Sequence, residues 1–248
     1  MDYKRSDLFF PYSFNICTYD ASLGNKLRHN CILKYQQQAG EEHLKYFNLD
    51  YNTMAKDDMA FIVTNTSICI NRMPINDEII TLKTWNRGAK GAKFYRSYNW
   101  YSEDGELLIE GSTAFILMQL STRKILRPDV FKSDMPYDFD EQNSALTPKK
   151  IKLPDENTMT LCGERKIKFS EIDANGHLNN SFYTDFVTDY IDMSNKEIKK
   201  ISIDFNGEAM QGDNIKIYST EQNGVTYYYG EHTRGNCFKA SCEYLSKS

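Results

Sequence analysis

Asp173, Asn175, His177, Asn179 and Asn180 fall within eight residues of one another, in the stretch FSEIDANGHLNNSFYTDFVTDYI from Phe169 to Ile191. Together a carboxylate, an amide and an imidazole suit polarising a carbonyl and handling a proton near neutral pH. The alternation Asp-x-Asn-x-His puts the three side chains on one face if the backbone is extended. Asp-Ala-Asn-Gly is turn composition, so the group belongs to a loop. An aromatic, amphipathic pattern follows at once and predicts a helix near 180–193, with Asn179, Asn180 or Ser181 available to cap it. A helix start presents unbonded N–H groups and the positive end of a dipole. The loop is therefore aimed at a place that favours negative charge on oxygen. One of only four histidines in the chain lies in it.

Written as D-x-N-x-H-[VL]-N-N-x-x-Y, with Tyr183 at its end, the stretch resembles the acyl-ACP thioesterases of plants and bacteria. The resemblance implies a further carboxylate at the end of the first strand after the helix. In the segment ISIDFNGEAMQGD that residue is Glu208. Taken alone, Glu208 also fits a solvated place in a Gly/Glu/Gln turn. Many plant members carry a Cys directly after this Glu, whereas this chain has Ala209, and no Cys lies between Cys162 and Cys237. A thiol nucleophile at that position is excluded, which leaves water. The implied roles follow. Glu208 accepts the proton of the attacking water, and His177 positions that water and protonates the leaving thiolate. Asn175 orients the carbonyl or the water. Asp173 holds the loop and the Asn175 and His177 side chains through hydrogen bonds, and backbone N–H groups at the start of the 180–193 helix bind the thioester oxygen.

The elements that must position these residues come in two similar sets. A strand and loop near 8–26 lead to a helix near 27–47, then strand-like runs near 59–73, 77–88, 92–103 and 106–120. A strand and loop near 163–178 lead to the helix near 180–193, then runs near 198–206, 213–221, 225–233 and 237–245. Glu103-Asp104-Gly105, Asn223-Gly224 and Arg234-Gly235-Asn236 are hairpin turns. The first helix presents Ile32, Tyr35, Gln36, Ala39, His43 and Tyr46 as one stripe, and the second Phe182, Phe186, Val187, Tyr190 and Ile191. One helix and an antiparallel meander, repeated, predict an α+β fold. The family resemblance makes it a tandem (double) hotdog, two long helices each wrapped by a curved antiparallel sheet. Residues 1–125 are read as the acyl-pocket half and 161–248 as the catalytic half. The proline-rich 126–160 is read as an extended connection. Aligning Leu27 with Leu178 sets Lys26 against His177, and aligning Asp77 with Asp213 sets Arg72 against Glu208, so only the second half carries acid–base residues.

Composition narrows the function classes. A hydrophobic share of 40% and a charged share of 26% are those of a globular protein. The net charge of −4 gives no field for nucleic acid. No apolar run reaches the 18 or so residues that a membrane span needs, and the mean hydropathy is −0.61. The N-terminus shows no signal-peptide core and no transit segment, so a cytoplasmic, bacterial protein is expected. The six cysteines have no zinc-like spacing and are expected as free thiols. No metal and no cofactor are expected. His29, His43 and His232 read as isolated packed or surface residues. The implied partner is an acyl carrier protein bearing an acyl-phosphopantetheine. Lys83, Arg87, Lys90, Lys93 and Arg96 form a basic run that is either a solvated hairpin or a dock for that acidic carrier, and Lys149-Lys150-Lys152 and Arg165-Lys166-Lys168 are further candidates. Two alternatives stay open: an acyl-CoA thioesterase on the same scaffold, and an acyl-thioester binding module without turnover. Monomer and homodimer both fit the sequence.

Overall fold

The computed structural model describes residues 4, 6–138, 146–155, 158–191, 193 and 196–246. Steps of three and four residues place Ile32, Gln36, Ala39, Gly40 and His43 on the buried face of α1 (His29–Tyr46). Tyr46, the last member of the expected stripe, is 41% exposed, and Phe47 is buried beside it. The chain divides into two compact units, Met1–Pro148 and Lys149–Ser248. The division falls within the 126–160 stretch, of which residues 139–145 and 156–157 lie outside the described residues.

In the first unit, β1 (Phe10–Asn15), β2 (Met59–Ile70), β3 (Ile79–Lys90), β4 (Lys93–Ser102) and β5 (Leu107–Gln119) form an antiparallel sheet in the order β1-β3-β4-β5-β2. The two-residue β6 (Ile125–Leu126) pairs with β5. Helix α1 lies close on this sheet: a Cβ on Gly111 of β5 would sit 2.4 Å from Gln36 Nε2. Phe14 stacks on Tyr35 with ring centres 3.9 Å apart, and Trp100 meets both rings edge-on. A short α2 (Tyr51–Lys56) follows α1, a helix the hydrophobic pattern did not announce. Asp50 caps it by accepting the N–H groups of Asn52 and Thr53.

The basic run needs a correction. Arg87 is fully buried and Arg96 is 7% exposed, so neither belongs to a solvated hairpin or to a docking surface. Side-chain acceptors hold both. Arg87 Nη1 donates to Thr147 Oγ1 at 2.9 Å, and Arg96 Nη1 to His43 Nδ1 at 2.9 Å. Burial, and then the charge of Arg96, press the His43 ring down from 6.5 to about 2. His43 is thus a packed histidine, as its sequence context suggested.

In the second unit, β7 (Thr160–Lys166), β8 (Lys196–Phe205), β9 (Asn214–Gln222), β10 (Val225–His232) and β11 (Gly235–Ser246) form an antiparallel sheet in the order β8-β11-β10-β9-β7. Asn223 and Gly224 both take positive φ, as a two-residue type I′ hairpin requires. The helix of this unit, α3 (Phe182–Thr188), has seven residues. It is shorter than the long helix expected near 180–193, of which residue 192 lies outside the described residues. Thr188 Oγ1 donates to the Asp185 carbonyl, and short-side-chain bonds of this kind compete with helix continuation. Tyr190 then turns onto Gly163, where a Cβ would sit 2.4 Å from its ring. Tyr183 and Phe186 of α3 pack their rings against Phe238 of β11. All six cysteines are free. Among the described residues no helix is long and apolar enough to cross a membrane.

Candidate active site

The Asp173–His177 loop is built by its own carboxylate. Asp173 Oδ1 accepts the N–H of Asn175 at 2.8 Å and that of His177 at 3.2 Å. The backbone closes the same turn: Asp173 N–H donates to the His177 carbonyl and Gly176 N–H to the Asp173 carbonyl. Gly176 has φ of 81°, a conformation that disfavours residues with a Cβ. Below the loop, the Glu171 carboxylate takes the Lys168 N–H and pairs with Arg165, whose guanidinium also lies over the Phe186 ring. The Glu171 carbonyl accepts Asn179 N–H, tying the loop's exit to its entry.

Glu208 arrives from a second loop, between β8 and β9. Leu178 N–H donates to the Ala209 carbonyl at 2.7 Å, and His177 and Met210 form an antiparallel bridge. These contacts bring His177 Nε2 to 3.4 Å from Glu208 Oε2, with side chains 28% and 41% exposed. An imidazole and a carboxylate thus face each other at a site open to water. The Asp173 carboxylate binds the main-chain N–H groups of Asn175 and His177 and not their side chains as expected, and Asn175 is exposed on the same turn.

The helix start differs from expectation. Asn179 Oδ1 accepts the N–H of Ser181, which makes Asn179 the residue that caps the turn. The N–H groups of Phe182, Tyr183 and Thr184 donate to the carbonyls of Asn179, Asn180 and Ser181. The first turn therefore uses the N–H groups of residues 181–184, and the Asn180 N–H is not among these bonds.

Two residues passed over in the sequence belong to this site. His232 Nε2 lies 3.0 Å from the Glu208 carbonyl oxygen, and Arg234 Nη2 lies 3.3 Å from the same oxygen. Arg234 also pairs with Asp213 and holds its carboxyl below the usual carboxylate range. His232 is 24 residues from Glu208, and the gap is closed by strand pairing, since β11 pairs with β10 on one side and with β8 on the other. The cysteines of the unit are poor nucleophiles. Burial pushes the Cys237 thiol up to about 12 and raises Cys162 as well.

The first unit repeats the backbone of the site without its chemistry. Ser22 N–H donates to the Lys26 carbonyl as Asp173 does to His177, and Leu27 N–H to the Pro74 carbonyl as Leu178 does to Ala209. Lys26 and Ile75 form the bridge that His177 and Met210 form. Lys26 thus stands in place of His177, as the sequence alignment had it. The same contacts put Met73, not Arg72, opposite Glu208. The shift arises because Glu78, which accepts the Ile75 N–H, is the counterpart of Asp213, which accepts the Met210 N–H.

Comparison with known proteins follows the same division. The family model described as the acyl-ACP thioesterase N-terminal domain matches residues 7–132, and that of the C-terminal domain matches residues 155–240. The chloroplastic palmitoyl-acyl carrier protein thioesterase of Cuphea hookeriana is 23% identical over 196 residues, 74% of this chain and 47% of its own length. The chloroplastic dodecanoyl-[acyl-carrier-protein] hydrolase of Cinnamomum camphora is 22% identical over 234 residues, 88% of this chain and 60% of its own length. The chain spans about half the length of the curated relatives it matches. In fold it is similar to an acyl-ACP thioesterase from Bacteroides thetaiotaomicron, with a TM-score of 0.86 at 17% identity, covering 98% of this chain and 100% of that one. The 12:0-ACP thioesterase from Umbellularia californica superposes with a TM-score of 0.82 at 17% identity, covering 99% and 100%. The two domain models run through both units, and the chain belongs to the acyl-ACP thioesterase family.

Proposed function

We propose that this chain hydrolyses the thioester of an acyl-acyl carrier protein, releasing a free fatty acid and ending chain elongation. The observation that carries the reading is the 3.4 Å approach of His177 Nε2 to Glu208 Oε2 on two loops laced together by backbone bonds. Water attacks the thioester carbonyl and Glu208 takes its proton. The tetrahedral intermediate collapses, the C–S bond breaks, and the proton passes through His177 to the leaving sulfur. Asn175 orients the carbonyl, and Asp173 keeps the loop in shape. Water as nucleophile is favoured by Ala209 after the glutamate and by the raised thiols of Cys162 and Cys237.

The fold reading is a tandem hotdog, with the first unit giving acyl-binding surface and the second the chemistry. The repeated loop contacts support the tandem. In the first unit Phe61, Phe94, Phe115, Phe131, Leu44 and Leu49, among others, line an apolar cavity of about 60 Å³, room for the tip of an acyl chain.

Thiol release from a panel of acyl-ACPs and acyl-CoAs tests the function. Wild type turns over acyl-ACP, and Glu208→Gln and His177→Ala each fall by about a hundredfold or more. Binding of acyl-ACP without release of thiol would sink the hydrolase reading in favour of a binding module. Equal rates on both carriers would point to an acyl-CoA thioesterase.

A further inference from the structure

We infer that His232 and Arg234 are positioning residues for the reaction, acting through the main chain of Glu208; this rests on the reading of Glu208 given above. Glu208 lies beyond the end of β8, so no strand pairing fixes its carbonyl. The β10–β11 turn supplies that restraint from across the sheet. His232 Nδ1 accepts the Arg234 N–H at 3.1 Å, which leaves the ring proton on Nε2 to donate to the Glu208 oxygen at 3.0 Å. Arg234 Nη2 donates to the same oxygen, while its Nη1 binds Asp213 Oδ1 at 2.9 Å. Asp213 in turn accepts the Met210 N–H at 2.7 Å. A closed ring runs from the Glu208 carbonyl through Arg234 and Asp213 to Met210. Ala209, inside that ring, is held by Leu178, the residue next to His177. The main chain from the Glu208 carbonyl to the Met210 N–H is thereby fixed relative to the imidazole.

The first unit serves as an internal control. Its Glu78 repeats the role of Asp213, accepting the Ile75 N–H. Glu78 is held by Arg72 of its own loop, not by a residue of a neighbouring hairpin. Among the described residues nothing donates to the carbonyl of Met73, the counterpart of Glu208. The two extra donors occur where there is a carboxylate to aim, and are missing where there is none.

Kinetics of the full chain on its best acyl-ACP substrate separate this role from a purely structural one. His232→Ala is expected to lower kcat by about ten- to a hundredfold with KM changed less than about twofold, as for a reacting group moved by about 1 Å. His232→Gln, whose amide offers a donor and an acceptor, recovers most of that loss. In a Glu208→Gln background His232→Ala costs nothing further, because the group it aims is gone. A full kcat in His232→Ala, or a loss undiminished in the Glu208→Gln background, would overturn the inference. So would a loss that tracks a fall in Tm across the variants. If wild type turns nothing over, or Glu208→Gln keeps full activity, the reading of Glu208 fails first and the inference falls with it.

Discussion

A buried imidazole makes the first unit sensitive to acid. His43 has no exposed surface, and burial followed by the Arg96 charge keeps it neutral to about pH 2. In the unfolded chain the same ring takes its proton near 6.5. Between those values the unfolded state holds about one proton more, so stability falls as pH drops through that window and is level above it. Urea unfolding between pH 4 and 8 should show that slope, to which His29 adds because burial, and then Lys26, lower its ring to about 4; His43→Asn, which keeps an acceptor for Arg96, should reduce the slope by about half. An unchanged slope in the variant would mean that other groups carry the effect. At the residue scale, types in a short motif were legible and partners across strands were not. Asp173 could be assigned to holding its loop because the atoms it binds are two and four residues away. The contacts of His232 depend on which strands pair, and a histidine between ordinary strand residues carries no mark of that.

Phe238 links the second sheet to the helix beside the site. Its ring covers bare backbone at Gly230, where an added Cβ would come within 2.0 Å of it, and its other contacts are Tyr183 and Phe186 of α3. A rigid ring without free space must move as a whole. Gly230→Ala should therefore cost about 1–3 kcal/mol of stability, as overpacking of a filled core does. It should also lower turnover beyond the effect of stability, since α3 follows directly on the Asp173–His177 loop. A Tm within a degree of wild type would show that the ring has room to shift. Elements themselves were legible where periodicity and turn residues agreed, as in β8 to β11, whose hairpins are set by Asn223-Gly224 and Gly235. The length of α3 was not, because Tyr190, just past its end, packs on Gly163 of β7, a contact that depends on the tertiary fold. A one-residue slip in the alignment of the halves had a similar source: matching Asp77 to Asp213 by type hid the fact that Glu78 makes the equivalent bond.

For the molecule as a whole, a net charge of −4 opposes an acidic carrier, so the proposed docking draws on local positive charge. With Arg87 and Arg96 inside, exposed lysines such as Lys149, Lys150, Lys166 and Lys168 are the groups left from the basic clusters. Raising ionic strength from about 0.1 M to about 1 M shortens screening from about 10 Å to about 3 Å. The ratio of kcat/KM for acyl-ACP over acyl-CoA should fall across that range. A constant ratio would assign carrier recognition to uncharged contacts. The overall plan was legible because each half states it independently, and agreement between copies guards against error in either. The loop at Ser22–Lys26 keeps the hydrogen bonds of its partner loop while carrying none of its reactive groups. Two identical subunits could not have reached that arrangement, since every substitution would be made twice. Joined in one chain, the two copies can differ, and under the function proposed above the first can be shaped to a substrate without altering the residues of the second that are assigned to the cleavage.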